Sequence, residues 1–185
     1  MKSILSAVCC VALCCLPALA QEGHKKAAAK GAAKGAAMTD QGFVDFAAQT
    51  DMMEAHLGQM AADQAAEQGV KDYAQTLVTD HTNDYKQLSD LAGKANLVVP
   101  KGLDAAHDKM IAPFEKLKGA GFDHRYIQEM IAGHTKAIAV YTKESTDAEN
   151  ADLKAYANQA LPTLQKHLDS AKDLAKTKPS SKKKM

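Results

Sequence analysis

Four side chains in this 185-residue sequence have the types and spacing to share chemistry: Glu54, His81, His134 and His167. Each histidine falls on the apolar stripe of a long helical pattern. Glu54 lies beside Met53 at the edge of a fourth such stripe, so four segments each turn one polar group inward. Three imidazoles and a carboxylate are a donor set for one zinc, copper or similar ion. The same groups could instead hydrogen-bond with one another as a polar layer that fixes helix register. The structural layer is the preferred reading, because buried histidines often do no more than satisfy a carboxylate or a carbonyl. A metal or proton-transfer site is the alternative.

Other chemistry is excluded or disfavoured. A di-iron centre would need Glu-x-x-His pairs, but Val78, Ile131 and Leu164 stand three before His81, His134 and His167. The four cysteines, Cys9, Cys10, Cys14 and Cys15, all lie in the first twenty residues, and no serine sits in a Gly-x-Ser-x-Gly elbow. The reading therefore leans away from an enzyme and toward an exported, non-enzymatic envelope or stress-related binding module, with a mononuclear metal-binding protein or oxidase using Glu54, His81, His134 and His167 as the alternative. Asp80 is read as solvated or capping, although it could orient a ligand on a neighbouring helix. His56, His107 and His124 are read as exposed.

The elements that must position these groups are helices. Helix 1 is expected from Thr39 or Asp40 to about Glu67, on Phe43, Phe46, Ala47, Met53, Leu57, Met60 and Ala61. Gln68-Gly69 reads as a break, and helix 2 runs from Val70 to about Asn96. A proline-containing connection leads to a short crossover helix, Asp104 to Leu117, bent or restarted at Pro113. Asp123 is expected to cap helix 3, which runs to about Thr146, with Phe122 stapled on Ile127. Helix 4 continues from Ala151 to about Ala175, and Pro162 should kink it just above His167. Counting outward from the two tight turns places Glu54, His81, His134 and His167 near mid-height of an antiparallel four-helix bundle.

The ends of the chain differ from its body. Lys2, the apolar run Ile4 to Leu16 and Ala18-Leu19-Ala20 read as a signal peptide cut before Gln21, giving a periplasmic or secreted protein. Residues 38–175 carry 13 basic and 21 acidic side chains, a net of −8. The Lys/Ala/Gly-rich tether 21–37 carries +3, and the tail 176–185 carries +5. Both arms read as disordered, with anionic envelope polymers as their charge-complementary partners. The export signal argues against nucleic acid as a physiological partner. No later apolar run is long enough to span a membrane.

The segments Glu54-Ala-His-Leu-Gly-Gln-Met-Ala, Val78-Thr-Asp-His81, Phe122-Asp-His-Arg-Tyr126-Ile, His134 and Leu161-Pro-Thr-Leu-Gln-Lys-His167-Leu resemble the pattern of domain-of-unknown-function family 4142. That resemblance covers about residues 38–175. It implies an exported bacterial protein of ferritin-like four-helix architecture, often labelled outer-membrane or periplasmic, and assigns no activity.

Overall fold

The computed structural model describes residues 38–177; the expected signal peptide, the tether and residues 178–185 of the basic tail lie outside the described residues. Among the described residues five α-helices follow one another: α1 (Asp40–Gln64), α2 (Gln68–Lys94), α3 (Ala105–Ile111), α4 (Ala120–Asp147) and α5 (Ala151–Lys176). A 3-10 turn, Ala112–Lys116, with Pro113 near its start, extends α3. The described residues contain no strand.

Local chemistry starts and stops these helices. Thr39 Oγ1 accepts from the Gly42 amide at the start of α1, Asp104 from Ala106 and His107 at α3, and Asn150 from Asp152 and Leu153 at α5. The α2 helix ends two residues short of the expected Asn96. There Asn96 takes a left-handed φ of 56°, the Leu97 amide reaches back to the Ala92 carbonyl, and the Asn96 amide reaches Gly93. These are the bonds of a Schellman stop, with asparagine in place of the usual glycine. Gly119, at φ 64°, precedes α4 and gives its amide to the Gln64 carbonyl at 2.7 Å. That backbone conformation favours glycine.

The connection after α2 fixes the topology. Its Val98 pairs with Gln41 near the start of α1, and Gly102 and Asp104 pair with Gln49 one stage further along. Gly119 then meets Gln64 at the far end of α1. The crossover therefore climbs the length of α1, so α4 begins beside the start of α2 and runs parallel to it. The pairs α1–α2 and α4–α5 are antiparallel, α1 also meets α4, and α2 meets α5. This is an all-α bundle with a long crossover of ferritin type.

Two carboxylates clamp the ends. Asp40, in the first turn of α1, accepts from the Glu149 and Asn150 amides of the α4–α5 loop. Asp123, in the first turn of α4, accepts from Ala66 and Glu67 in the α1–α2 loop. This corrects two expectations. Asp123 caps the neighbouring turn and not its own helix, and α1 stops at Gln64 because that clamp holds the following amides outside a helix. Gly69 lies inside the first turn of α2 and makes no break. Phe122 stacks on Tyr126 at 5.6 Å and meets Phe114 edge-on.

The core is split in two. One apolar cluster joins Leu57, Leu77, Phe114, Phe122, Tyr126 and Met130. The other joins Phe43, Leu88, Tyr141, Leu153 and Tyr156 toward the opposite end. Between them, at mid-height, lie Asp51, Glu54, His81, His134 and His167, all buried.

Candidate metal centre

Helix geometry brings the four expected residues together. His81 lies 13 residues from either end of α2, as 81 − 68 and 94 − 81 show. His134 sits near the middle of α4, and Glu54 and His167 face them from α1 and α5. The three imidazole rings form a triangle with centroid separations of 5.7, 5.4 and 5.2 Å. One ring nitrogen from each histidine lies within 4.8 Å of the others. Glu54 is not at a stripe's edge as its sequence position suggests. It is 0 % exposed, with Oε2 at 2.8 Å from His81 Nε2 and 3.3 Å from His134 Nε2.

Hydrogen bonds on the outside of the triangle set its inside. His134 Nδ1–H donates to the Met130 carbonyl at 2.9 Å, which leaves the Nε2 lone pair pointing inward. His167 Nε2–H donates to the Asp80 carboxylate at 2.8 Å, leaving Nδ1 inward. His81 Nδ1–H donates to Asp51 at 2.8 Å, leaving Nε2 inward. His134 Nε2 and His167 Nδ1 then face each other at 3.2 Å. His81 Nε2 and both Glu54 oxygens are buried without an aligned hydrogen bond, despite the 2.8 Å approach.

Filled orbitals that close repel unless a proton or a cation lies between them. Protonation follows the same logic. Burial pushes the Asp51 carboxyl up to about 7, partly opposed by its bond to His81. For Glu54 burial also acts upward, but the facing His134 and His81 outweigh it and hold the carboxyl below its ordinary value. Burial disfavours a charged His81, yet Glu54 and Asp51 overbalance this and hold it well above 6.5. Burial lowers His167 to about 4, against the pull of Asp80.

One residue of the centre was not apparent from the sequence, and for another, Asp80, the less favoured of two readings holds. Asp51 is three positions before Glu54, and that Asp-x-x-Glu spacing on one helix face was the available signal. Asp80 is 40 % exposed but holds His167 across the α2–α5 seam, a correction to its reading as a solvated residue. A third, Gly133, has no chemical signature. A Cβ built on it would come within 2.9 Å of Glu54 Oε1, so the bare backbone there makes room for the carboxylate. Of the remaining histidines among the described residues, His56 and His124 are exposed, and His107 is half-buried on its own cap residue, Asp104.

A helical bundle whose apolar core is interrupted by three inward-facing imidazoles and a buried carboxylate is a recognisable class of protein interior. The family pattern described as Domain of unknown function (DUF4142) matches residues 25–174, and the chain belongs to that family. No curated protein matches the sequence. Among solved structures, "CopM in the Cu(II)-bound form" superposes with a TM-score of 0.63 at 18% identity, covering 74% of this chain and 95% of that one. The Cu(I)-bound form gives 0.61 at 18%, covering 73% and 94%. The Ag-bound form gives 0.60 at 18%, covering 73% and 93%. At that identity the likeness is one of fold.

Proposed function

We propose that this chain is a metal-binding protein that holds one divalent transition-metal ion between Glu54, His81, His134 and His167. The observation that carries the proposal is the outward anchoring of all three imidazoles. Met130, Asp80 and Asp51 take the outer N–H groups, so the inner nitrogens of His81, His134 and His167 are turned toward one another and toward the buried Glu54 carboxylate, where a proton on His81 or a cation can bridge them. Histidines that ligate metals are commonly held in this manner, because the outer acceptor fixes the tautomer and makes the inner nitrogen more basic.

The donor set fits such an ion. Four donors about 2.1 Å from a shared tetrahedral ion stand about 3.4 Å apart; three of the six pairs here are 2.8, 3.2 and 3.3 Å, the three histidine nitrogens lie within 4.8 Å of one another, and Glu54 approaches two of them. Imidazole and carboxylate donors suit zinc, copper(II) or nickel better than soft monovalent ions, which favour sulfur. Glu54, held below its ordinary value by the facing imidazoles, supplies a carboxylate charge directly at the site. The fold shared with a protein solved in Cu(II), Cu(I) and Ag forms supports the choice of a transition metal.

The ion would supply a fixed positive charge between lone pairs, and these side chains bind and enclose it. The test is metal analysis of protein purified without chelator or polyhistidine tag. One ion per chain, lost in the pair His81→Ala and His134→Ala, is the expected result. A site that stays empty and resists loading would leave the register-fixing polar layer as the account.

The leader-like residues 1–20 support placement in the periplasm, which cell fractionation tests. The lysine-rich ends support attachment to anionic envelope polymers by charge. That part fails if binding survives deletion of residues 21–37 and 176–185.

A further inference from the structure

The centre is enclosed on most sides, yet a solvent-facing cleft of about 250 Å³ runs between α2 and α5 and ends on it. His81 and His167 form its floor, each 3 % exposed. Asp80 and Asp84 stand along the α2 wall with Gln87 beyond them, and Ala160 lies on the α5 wall. Asp80 links the two environments, since it is 40 % exposed while one oxygen holds His167 Nε2. Asp84 is fixed by the hydroxyl of Tyr156, which donates to it at 2.7 Å.

The α5 wall has a second feature. Pro162 sits inside the helix in the turn that borders the cleft and deprives the Asn158 carbonyl of its helical donor. A helix bends there at lower cost than elsewhere.

We propose that this cleft is the portal through which the ion enters and leaves, so that the centre exchanges its ion as a buffer or delivery protein does and does not hold it as a permanent staple. This rests on the metal reading given above. The acidic wall concentrates cations at the mouth, Asp80 hands them to His167, and bending at Pro162 widens the passage.

The test is stopped-flow uptake of Co(II) or Cu(II) by the full chain, with loss measured by adding excess chelator. Gln87→Lys, at an exposed position away from the ligands, should slow uptake about tenfold at low ionic strength, an effect that shrinks as salt screens the mouth. Ala160→Phe should slow uptake and loss by the same factor, leaving the affinity and the absorption spectrum of the bound ion unchanged. Should Ala160→Phe misfold, Gln87→Lys still decides. Wild-type rates in both variants, with one ion bound, would overturn the portal and leave the metal site standing. A wild-type chain that binds no ion would overturn both.

Discussion

Replacing Gly133 by alanine separates the fold from the centre. The added Cβ would lie 2.9 Å from Glu54 Oε1, closer than the 3.4 Å at which ordinary contact begins. The neighbour is the end of a side chain, so Glu54 can yield by rotating. An off-rotamer shift costs about 0.5–1.5 kcal/mol, while alanine in mid-helix gains about 0.8–1 kcal/mol over glycine. These nearly cancel, so the melting temperature should move by no more than about 2–4 °C. The carboxylate, however, would leave the point where the imidazoles converge, and ion affinity should fall at least about 10- to 100-fold, the scale seen when merely a group that orients a ligand is lost. Thermal denaturation followed by circular dichroism, with a competition titration against a chromophoric chelator, measures both quantities. Unchanged affinity would refute the assignment of Glu54 as a donor. A collapse of the melting temperature by more than about 10 °C would refute the claim that its carboxylate can yield.

Asp51→Asn keeps an oxygen for His81 Nδ1–H but removes the charge behind it; affinity should fall about 10- to 100-fold in the same titration, with the helical spectrum unchanged. Gly58→Ala should destabilise by about 1–3 kcal/mol in chemical denaturation, because its Cβ would meet Val78 Cγ2 at 2.7 Å and the Ala74 carbonyl at 2.9 Å, where α1 and α2 backbones leave no slack. In chelator-treated protein, stability should fall as pH rises above 6.5. The folded state holds the His81 proton more tightly than the unfolded chain does, so its contribution is complete below 6.5 and is lost through the raised folded value. Asp51, raised to about 7, acts in the same direction up to that pH. Below 6.5 His167, lowered to about 4, opposes Asp51, so the clean window is the alkaline one. Melting curves from pH 6.5 to 9 should show the slope, and His81→Gln should reduce it.

The bundle was legible because its signal is local and periodic. Leu77, His81, Leu88 and Ala92 mark one face of α2 in the sequence, and that same face is buried. Helix ends were less so. Ala65, Ala66 and Glu67 favour helix by composition, but a carboxylate more than 50 positions away, Asp123, takes the Ala66 and Glu67 amides out of it. The convergence of Glu54, His81, His134 and His167 followed from counting along rods of known rise. Of their outer partners only Asp80 was in view, as a residue able to orient a ligand on a neighbouring helix, whereas Met130 offers only its backbone. Gly133 matters by what it lacks, which no residue type announces.

The most direct measurement of the central claim is X-ray absorption at the edge of zinc loaded into the full chain. Three imidazole scatterers and one oxygen at about 2.0–2.2 Å are predicted, with one imidazole lost in His134→Ala. A shell containing sulfur, or light atoms without the imidazole pattern, would show that the ion binds elsewhere and that the three rings and Glu54 are only a structural layer.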